Sequence, residues 1–255
     1  MGLLALTRAV PEALASCQLT HIERTPIDVA RARAQHAAYE AALAALGCEI
    51  RHLPPADHLP DCTFVEDTAV VLDEIGVITR PGAISRLEET GAVAAALSQF
   101  LDLRWVGAPG TLDGGDVLRI GRTLYVGVGG RSSREGADQL LAAVRPFGYD
   151  VRPVRTRGCL HLKSAATQLT PELLLVNPEW IDPATFVGVD AIQVDPSEPA
   201  AANVLRIGET VLCAQAFPAT RERIEAAGIA TEAIDMSELA KAEGALTCCS
   251  LIMNR

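Results

Sequence analysis

Several familiar signals are missing from this 255-residue chain. No run approaches the roughly 18 apolar residues of a membrane-spanning helix, so no spanning segment is expected. The first ten residues lack a basic start and a cleavage-like site, and do not read as a signal peptide. CxxC pairs and an HExxH helix are absent, which argues against a structural or catalytic zinc site. No block of Lys or Arg occurs and the formal net charge is −10, which makes nucleic acid and anionic membranes poor partners. The seven cysteines are odd in number and scattered, unlike a disulfide framework. These absences point to a reduced, cytoplasmic protein whose acidity suits a small cationic substrate.

What is present is ample core material, 49% hydrophobic residues, arranged in alternating patterns. Asp28 is a good N-cap for a helix with Val29, Ala32, His36, Tyr39, Leu43 and Leu46 on one face, stopping at Gly47. Further helices are expected over Leu87 to Leu101, Ser133 to Val144, Thr220 to Ala227 and Ser237 to Glu243. Ser132-x-x-Glu135 resembles a capping box for the second of these. Short strand-like runs follow, at Cys48 to Leu53, Leu103 to Val106, Val151 to Val154, Ala191 to Val194 and Thr231 to Ile234.

After each such run comes a polar cluster and then a candidate β-hairpin. The clusters are Glu66-Asp67, Asp113-Gly114-Gly115-Asp116, His161-Leu162-Lys163, Asn203 and Cys248. From Asp67 to Asp116 is 49 residues, to His161 another 45, to Asn203 another 42 and to Cys248 another 45. Such a period marks repeated supersecondary units. The fifth unit has only one strand after its cluster, Leu251 to Met253, and the N-terminal run Leu3 to Val10 can pair with it and close a ring. The expected architecture is a single α/β domain over residues 1–255, a five-bladed αβ propeller with the polar clusters near its axis. That geometry would bring Cys248 to His161.

Cys248 and Cys249 open the last apolar run, and a strand would send them to opposite faces. One can then face a cleft while the other packs as a small hydrophobe. Glu66 and Asp67 lie among Phe64, Val65 and Ala69 to Val71, where two acids are costly to bury without a cationic partner. A planar guanidinium is best read by such carboxylates.

Long stretches of the chain resemble the dimethylarginine dimethylaminohydrolase family of guanidine-modifying enzymes. They are Leu59 to Asp67, Ile78 to Gly82, Thr111 to Asp116, Leu160 to Ser164, Ala201 to Asn203 and Leu246 to Ser250, in order over essentially the whole chain. The resemblance implies a five-bladed αβ propeller, a pentein-like fold. It implies metal-independent, cofactor-free hydrolysis of methylated arginine to citrulline and a methylamine. It also implies Cys248 as nucleophile, His161 as general acid and base, and Asp113 as the carboxylate that orients His161. Asp116 would then be structural. On the substrate side it implies Glu66 and Asp67 at the guanidinium, Asp61 at the charged amino-acid end, and Arg86 and Arg131 at the α-carboxylate. Ala242 is carried over as a further substrate contact, and Leu19 as one from a mobile segment, Ser16 to Ile27, that closes over the site.

Such a site is also able to capture an inhibitory zinc ion at Cys248 and His161. The alternatives are an arginine deiminase-like hydrolase releasing ammonia, or an inactive arginine-binding protein. Deiminases usually carry an inserted helical domain for which the chain has no room. A monomer and a homodimer are equally compatible with the sequence.

Overall fold

The computed structural model describes residues 2–255, and among them fifteen strands form five three-stranded sheets. Each sheet repeats one plan. Two strands pair antiparallel, as a hairpin in four of the sheets, then the chain crosses over and a third strand returns parallel to the second.

The chain begins with β1 (Leu3–Thr7), α1 (Val29–Ala45) and β2 (Cys48–His52). The second sheet holds β3 (Ala69–Val71), β4 (Gly76–Ile78) and, after α2 (Thr90–Leu97), β5 (Leu103–Trp105). The third holds β6 (Val117–Ile120), β7 (Thr123–Gly127) and, after α3 (Arg134–Val144), β8 (Asp150–Val154). One helical turn, α4 (Leu162–Ala165), leads into β9 (Ala166–Thr170), β10 (Leu173–Val176) and β11 (Asp190–Gln193). The fifth sheet holds β12 (Leu205–Ile207), β13 (Thr210–Ala214) and, after α5 (Pro218–Ala226), β14 (Ala230–Ile234). A short α6 (Ser237–Ala240) precedes the last strand, β15 (Leu251–Asn254).

β15 is antiparallel to β1, Leu6 opposite Leu251 and Leu3 opposite Asn254, so the two ends of the chain complete one sheet. This is the expected pseudo-fivefold propeller.

Local chemistry sets the elements. Asp28 caps α1 by accepting from Arg31 N, and Gly47 ends it at φ +93°. The buried face of α1, Ala32, Tyr39 and Leu43, packs with Leu14, Leu212 and Ile234. The cap of α3 is Ser133, accepting from Gly136 N, not the expected Ser132. Ser132 is buried instead, donating to Asp116 Oδ2 and accepting from Asp113 N–H. The helix expected from Leu87 begins as a 3₁₀ turn, Ile84–Glu89, and becomes α-helical only at Thr90. The helix expected over Ser237 to Glu243 stops at Ala240.

Every polar cluster occupies the same place in its unit, a helical turn just before the sheet's first strand. These turns are Val65–Thr68, Gly114–Asp116, α4, Pro199–Ala202 followed by Asn203, and Thr247–Cys249. They meet at the ring centre: Glu66 Oε2 accepts from Thr247 Oγ1 at 2.6 Å, and Asn203 exchanges hydrogen bonds with Thr247.

Candidate active site

Cys248 lies in a 3₁₀ turn, not the strand expected of it. The two thiols still diverge, because successive residues of such a turn are rotated by roughly 120°. Cys248 lines a narrow cleft, whereas Cys249 is fully buried with Sγ 3.6 Å from Ala245 O. Burial, then the charges of Glu66 and Asp67, push the Cys248 thiol above its ordinary pKa.

His161 faces the same cleft at the N-cap of α4. Its Nε2 is 3.0 Å from Asp113 Oδ2, and its Nδ1 is 3.8 Å from Asp67 Oδ1. Asp113 is fixed in turn by Gly82 N–H on Oδ1. Burial disfavours the imidazolium, yet Asp67 and the hydrogen bond that the ring donates to Asp113 outweigh it and lift the His161 pKa to about 9. The ring is therefore a cation at neutral pH, ready to donate. Asp116 accepts from Leu162 N–H and Ser132 Oγ, so it sets the backbone that carries His161. Burial raises Asp116 to about 6.

Gly115 makes the approach of these groups possible. A Cβ there would sit 2.7 Å from His161 Nδ1 and 2.8 Å from Asp67 Oδ1. Its N–H donates to Asp67 Oδ1 at 3.0 Å.

Asp67 lines the cleft with both oxygens engaged, Oδ2 by Arg86 Nη1 at 2.5 Å. Burial opposes its ionisation, but His161 and Arg86 hold it at about 2, a carboxylate at any working pH. Asp61 also lines the cleft and accepts from Gln18 N–H; burial raises its pKa. Ala242 and Arg131 also line it, and among the described residues Arg131 Nη2 donates to Thr20 Oγ1.

Three expectations change. Arg86 lines the cleft, but its guanidinium is enclosed by Asp67, Glu89 and the carbonyls of Phe64 and Asp61. With its donors so engaged it orients Asp67, leaving Arg131 as the lining arginine without a carboxylate partner. Glu66 is not among the lining side chains; it is bound by Lys163 Nζ at 2.6 Å and by Thr247. It borders a separate axial cavity of about 600 Å³. Leu19 is half-buried against the core near α1, and its neighbour Gln18 lines the cleft.

Two further residues escaped the sequence reading. Glu89 neutralises Arg86 from three residues on, an i, i+3 spacing visible in Arg-Leu-Glu-Glu. Glu243 lines the cleft beside Ala242, flagged only by a glycine that follows it.

Among the described residues, the ligand atoms close enough to hold one cation belong to Asp67, Asp113 and His161, within 4.8 Å of one another. Cys248 is not one of that group. No helix is long and apolar enough to cross a membrane.

Taken together, the cleft holds a buried thiol, an imidazolium on a carboxylate, and a second ionised carboxylate facing both. Such a set can bind a planar cation, add sulfur to its carbon, and protonate a departing amine.

No protein-family profile matches the chain. It is 41% identical over 249 residues to the N(G),N(G)-dimethylarginine dimethylaminohydrolase of Streptomyces coelicolor, covering 97% of this chain and 95% of that one. It is 34% identical to the Pseudomonas aeruginosa protein of the same name, covering 88% and 89%. A cysteine-to-serine mutant of the P. aeruginosa protein, complexed with citrulline, superimposes with a TM-score of 0.94 at 32% identity, covering 99% of each chain. The N-terminal domain of a cyanobacterial arginine dihydrolase shares the fold at 19% identity, with a TM-score of 0.88. At 41% identity to one member and with its length matched almost end to end, the chain belongs to the dimethylarginine dimethylaminohydrolase family.

Proposed function

We propose that this chain hydrolyses Nω-methylated arginines to citrulline and dimethylamine or methylamine. The observation that carries the reading is one cleft lined by Cys248, His161 and Asp67, with Asp61 and Arg131 along the same wall. The carboxylate of Asp67 takes the guanidinium; Asp61 and Arg131 take the α-ammonium and α-carboxylate, and Ala242 packs along the chain between. Residues 1–255 act as one catalytic domain. The cleft residues come from one chain, so the reading holds for a monomer or a homodimer. The cysteines described are all free, as in a reducing, cytoplasmic setting.

The bound cation offsets the negative charge around the thiol, and Cys248 loses its proton to solvent. The thiolate adds to the guanidinium carbon, and His161 passes its proton to dimethylamine as the C–N bond breaks. A cationic thiouronium then links the carbon to Sγ. His161, now neutral, takes a proton from the attacking water. Collapse of that adduct breaks the C–S bond as the hydroxyl proton leaves to solvent, releasing citrulline and the thiolate. Two smaller barriers replace one large one.

The test is product analysis with dimethylarginine, with Cys248→Ser as control. Citrulline and dimethylamine from the native chain, and neither from the variant, are expected. Ammonia from arginine in their place would favour a deiminase, and no Cys248-dependent turnover would favour a binding protein.

A further inference from the structure

The segment between the 3₁₀ turn Glu12–Ser16 and α1 carries no helix or strand, and it runs beside the cleft. Cys17, Leu19 and Ile27 pack against the core, and the attachments beside the cleft are polar. Gln18 N–H donates to Asp61, and Thr20 Oγ1 accepts from Arg131. The strongest hold is Glu243, which takes three consecutive amides. Thr20 N–H reaches Oε2 at 2.8 Å, while His21 and Ile22 N–H reach Oε1 at 2.5 and 3.1 Å. Thr20, His21 and Ile22 are exposed, so these contacts rather than apolar burial fix the tip.

Glu243 pays a conformational cost to be there. It sits at φ +56°, where glycine is the ordinary occupant. The next residue, Gly244, is pressed so closely on the Phe64 ring that a Cβ would lie 2.2 Å from it. The turn is thus seated against a cleft residue and aims a carboxylate at the segment. With the segment so held, the cleft has a volume of about 20 Å³, too little for an arginine-sized ligand. Entry requires the segment to lift, and water exclusion requires it to return.

We infer that Glu243 is a positioning residue, a latch that holds Gln18–Ile22 across the cleft and sets how often Cys248 is uncovered. The kinetic part of this inference rests on the hydrolase reading; the structural part does not. Glu243→Ala and the milder Glu243→Gln test it. In the free protein, hydrogen exchange at the Thr20, His21 and Ile22 amides should quicken about tenfold or more in Glu243→Ala, with α1 unchanged. Alkylation of Cys248 by iodoacetamide should quicken by about the same factor, with Glu243→Gln intermediate. KM for dimethylarginine should fall about tenfold with kcat changed far less, because the held segment leaves the ligand no room and its release populates the open state.

Unchanged exchange at the three amides would overturn the latch. So would unchanged Cys248 alkylation accompanied only by a lower melting temperature, the mark of a merely structural residue. If the native chain fails to hydrolyse methylarginines, the hydrolase reading falls while exchange and alkylation still decide the latch.

Discussion

Replacing Glu66 with Gln takes one negative charge out of the ring centre and keeps an oxygen for Thr247 Oγ1, now 2.6 Å from Oε2. Lys163 Nζ, 2.6 Å from Oε1, loses its counter-ion. Glu66 is the first charge, after burial itself, that raises the Cys248 pKa, and Lys163 acts the other way. A unit charge on the order of 6 Å away, at an effective dielectric of about 20, is worth about 3 kcal/mol, or about two pKa units. Below its pKa the thiol then ionises about 100-fold more. A less basic thiolate is a weaker nucleophile, and a Brønsted slope of about 0.5 returns about one decade of that gain. The expected net effect is alkylation of Cys248 about tenfold faster at neutral pH in the free protein.

The assay is inactivation by iodoacetamide as a function of pH, native against Glu66→Gln. Superimposable curves would refute the claim that charge at the ring centre governs the thiol. The same variant tests placement: because Glu66 lies outside the cleft lining, KM should change less than about threefold. A KM raised about 100-fold would return Glu66 to the guanidinium, where the sequence alone put it. A bound cation has the same sign as the substitution. Thiolate absorbance titrated with and without arginine should show a lower Cys248 pKa when the cleft is filled.

Cys248→Ser should abolish turnover, while Cys249→Ser should retain most of it and lose about 1 kcal/mol of stability on denaturant melting; the reverse would exchange the two thiols. Asp113→Asn presents an amide N–H₂ to His161 Nε2 and disfavours the imidazolium. kcat/KM should fall by about 10²–10⁴ and its alkaline limb should move down from the native position; an unmoved limb would free His161 from Asp113. Gly115→Ala should cost about 100-fold in kcat, since its Cβ would displace His161 or Asp67, and a fully active variant would contradict that crowding. His161 binds its proton more tightly folded than unfolded, with a pKa near 9 against 6.5. Its stabilising contribution, on the order of 3 kcal/mol at most, is complete below pH 6.5 and lost as pH rises through 9. The melting temperatures of the native chain and His161→Gln should therefore converge at high pH, and parallel curves would refute the shift.

The ring was legible because the repeat is. Polar clusters 42 to 49 residues apart, each followed by a hairpin, place His161 and Cys248 in equivalent positions without any detail of packing. The geometry of the clusters was less so. Leu246 to Ser250 is apolar enough to read as strand, yet it turns like its four counterparts before β15 begins. Carrying the repeat through consistently would have called for that turn. Arg86's ion pair was hidden because its partner is set by a 3₁₀ turn: Glu89 reaches it only once Ile84–Glu89 is wound. Glu243 was invisible for a different reason. Its three partners are backbone amides more than 220 residues away in sequence, and an amide leaves no mark in a side-chain pattern.

At the ring centre the five turns carry functional groups in the same place: carboxylates on two, and an imidazole, an amide and a thiol on the other three. Buried charge without a partner is expensive, so each group should be matched across the ring. Most are. Glu66 has Lys163 and Thr247, Asp113 has His161 and Gly82, Asp67 has Arg86 and Gly115, and Asn203 has Thr247. Cys248 is the exception: among the described residues no side chain donates a hydrogen bond to its sulfur, and the charges that act on it most strongly are the anions Glu66 and Asp67. A thiolate there is therefore the one ionised state the ring leaves unmatched. On the proposed reading, the cation that completes the set is the substrate's own guanidinium, and the nucleophile forms where and when that cation is bound.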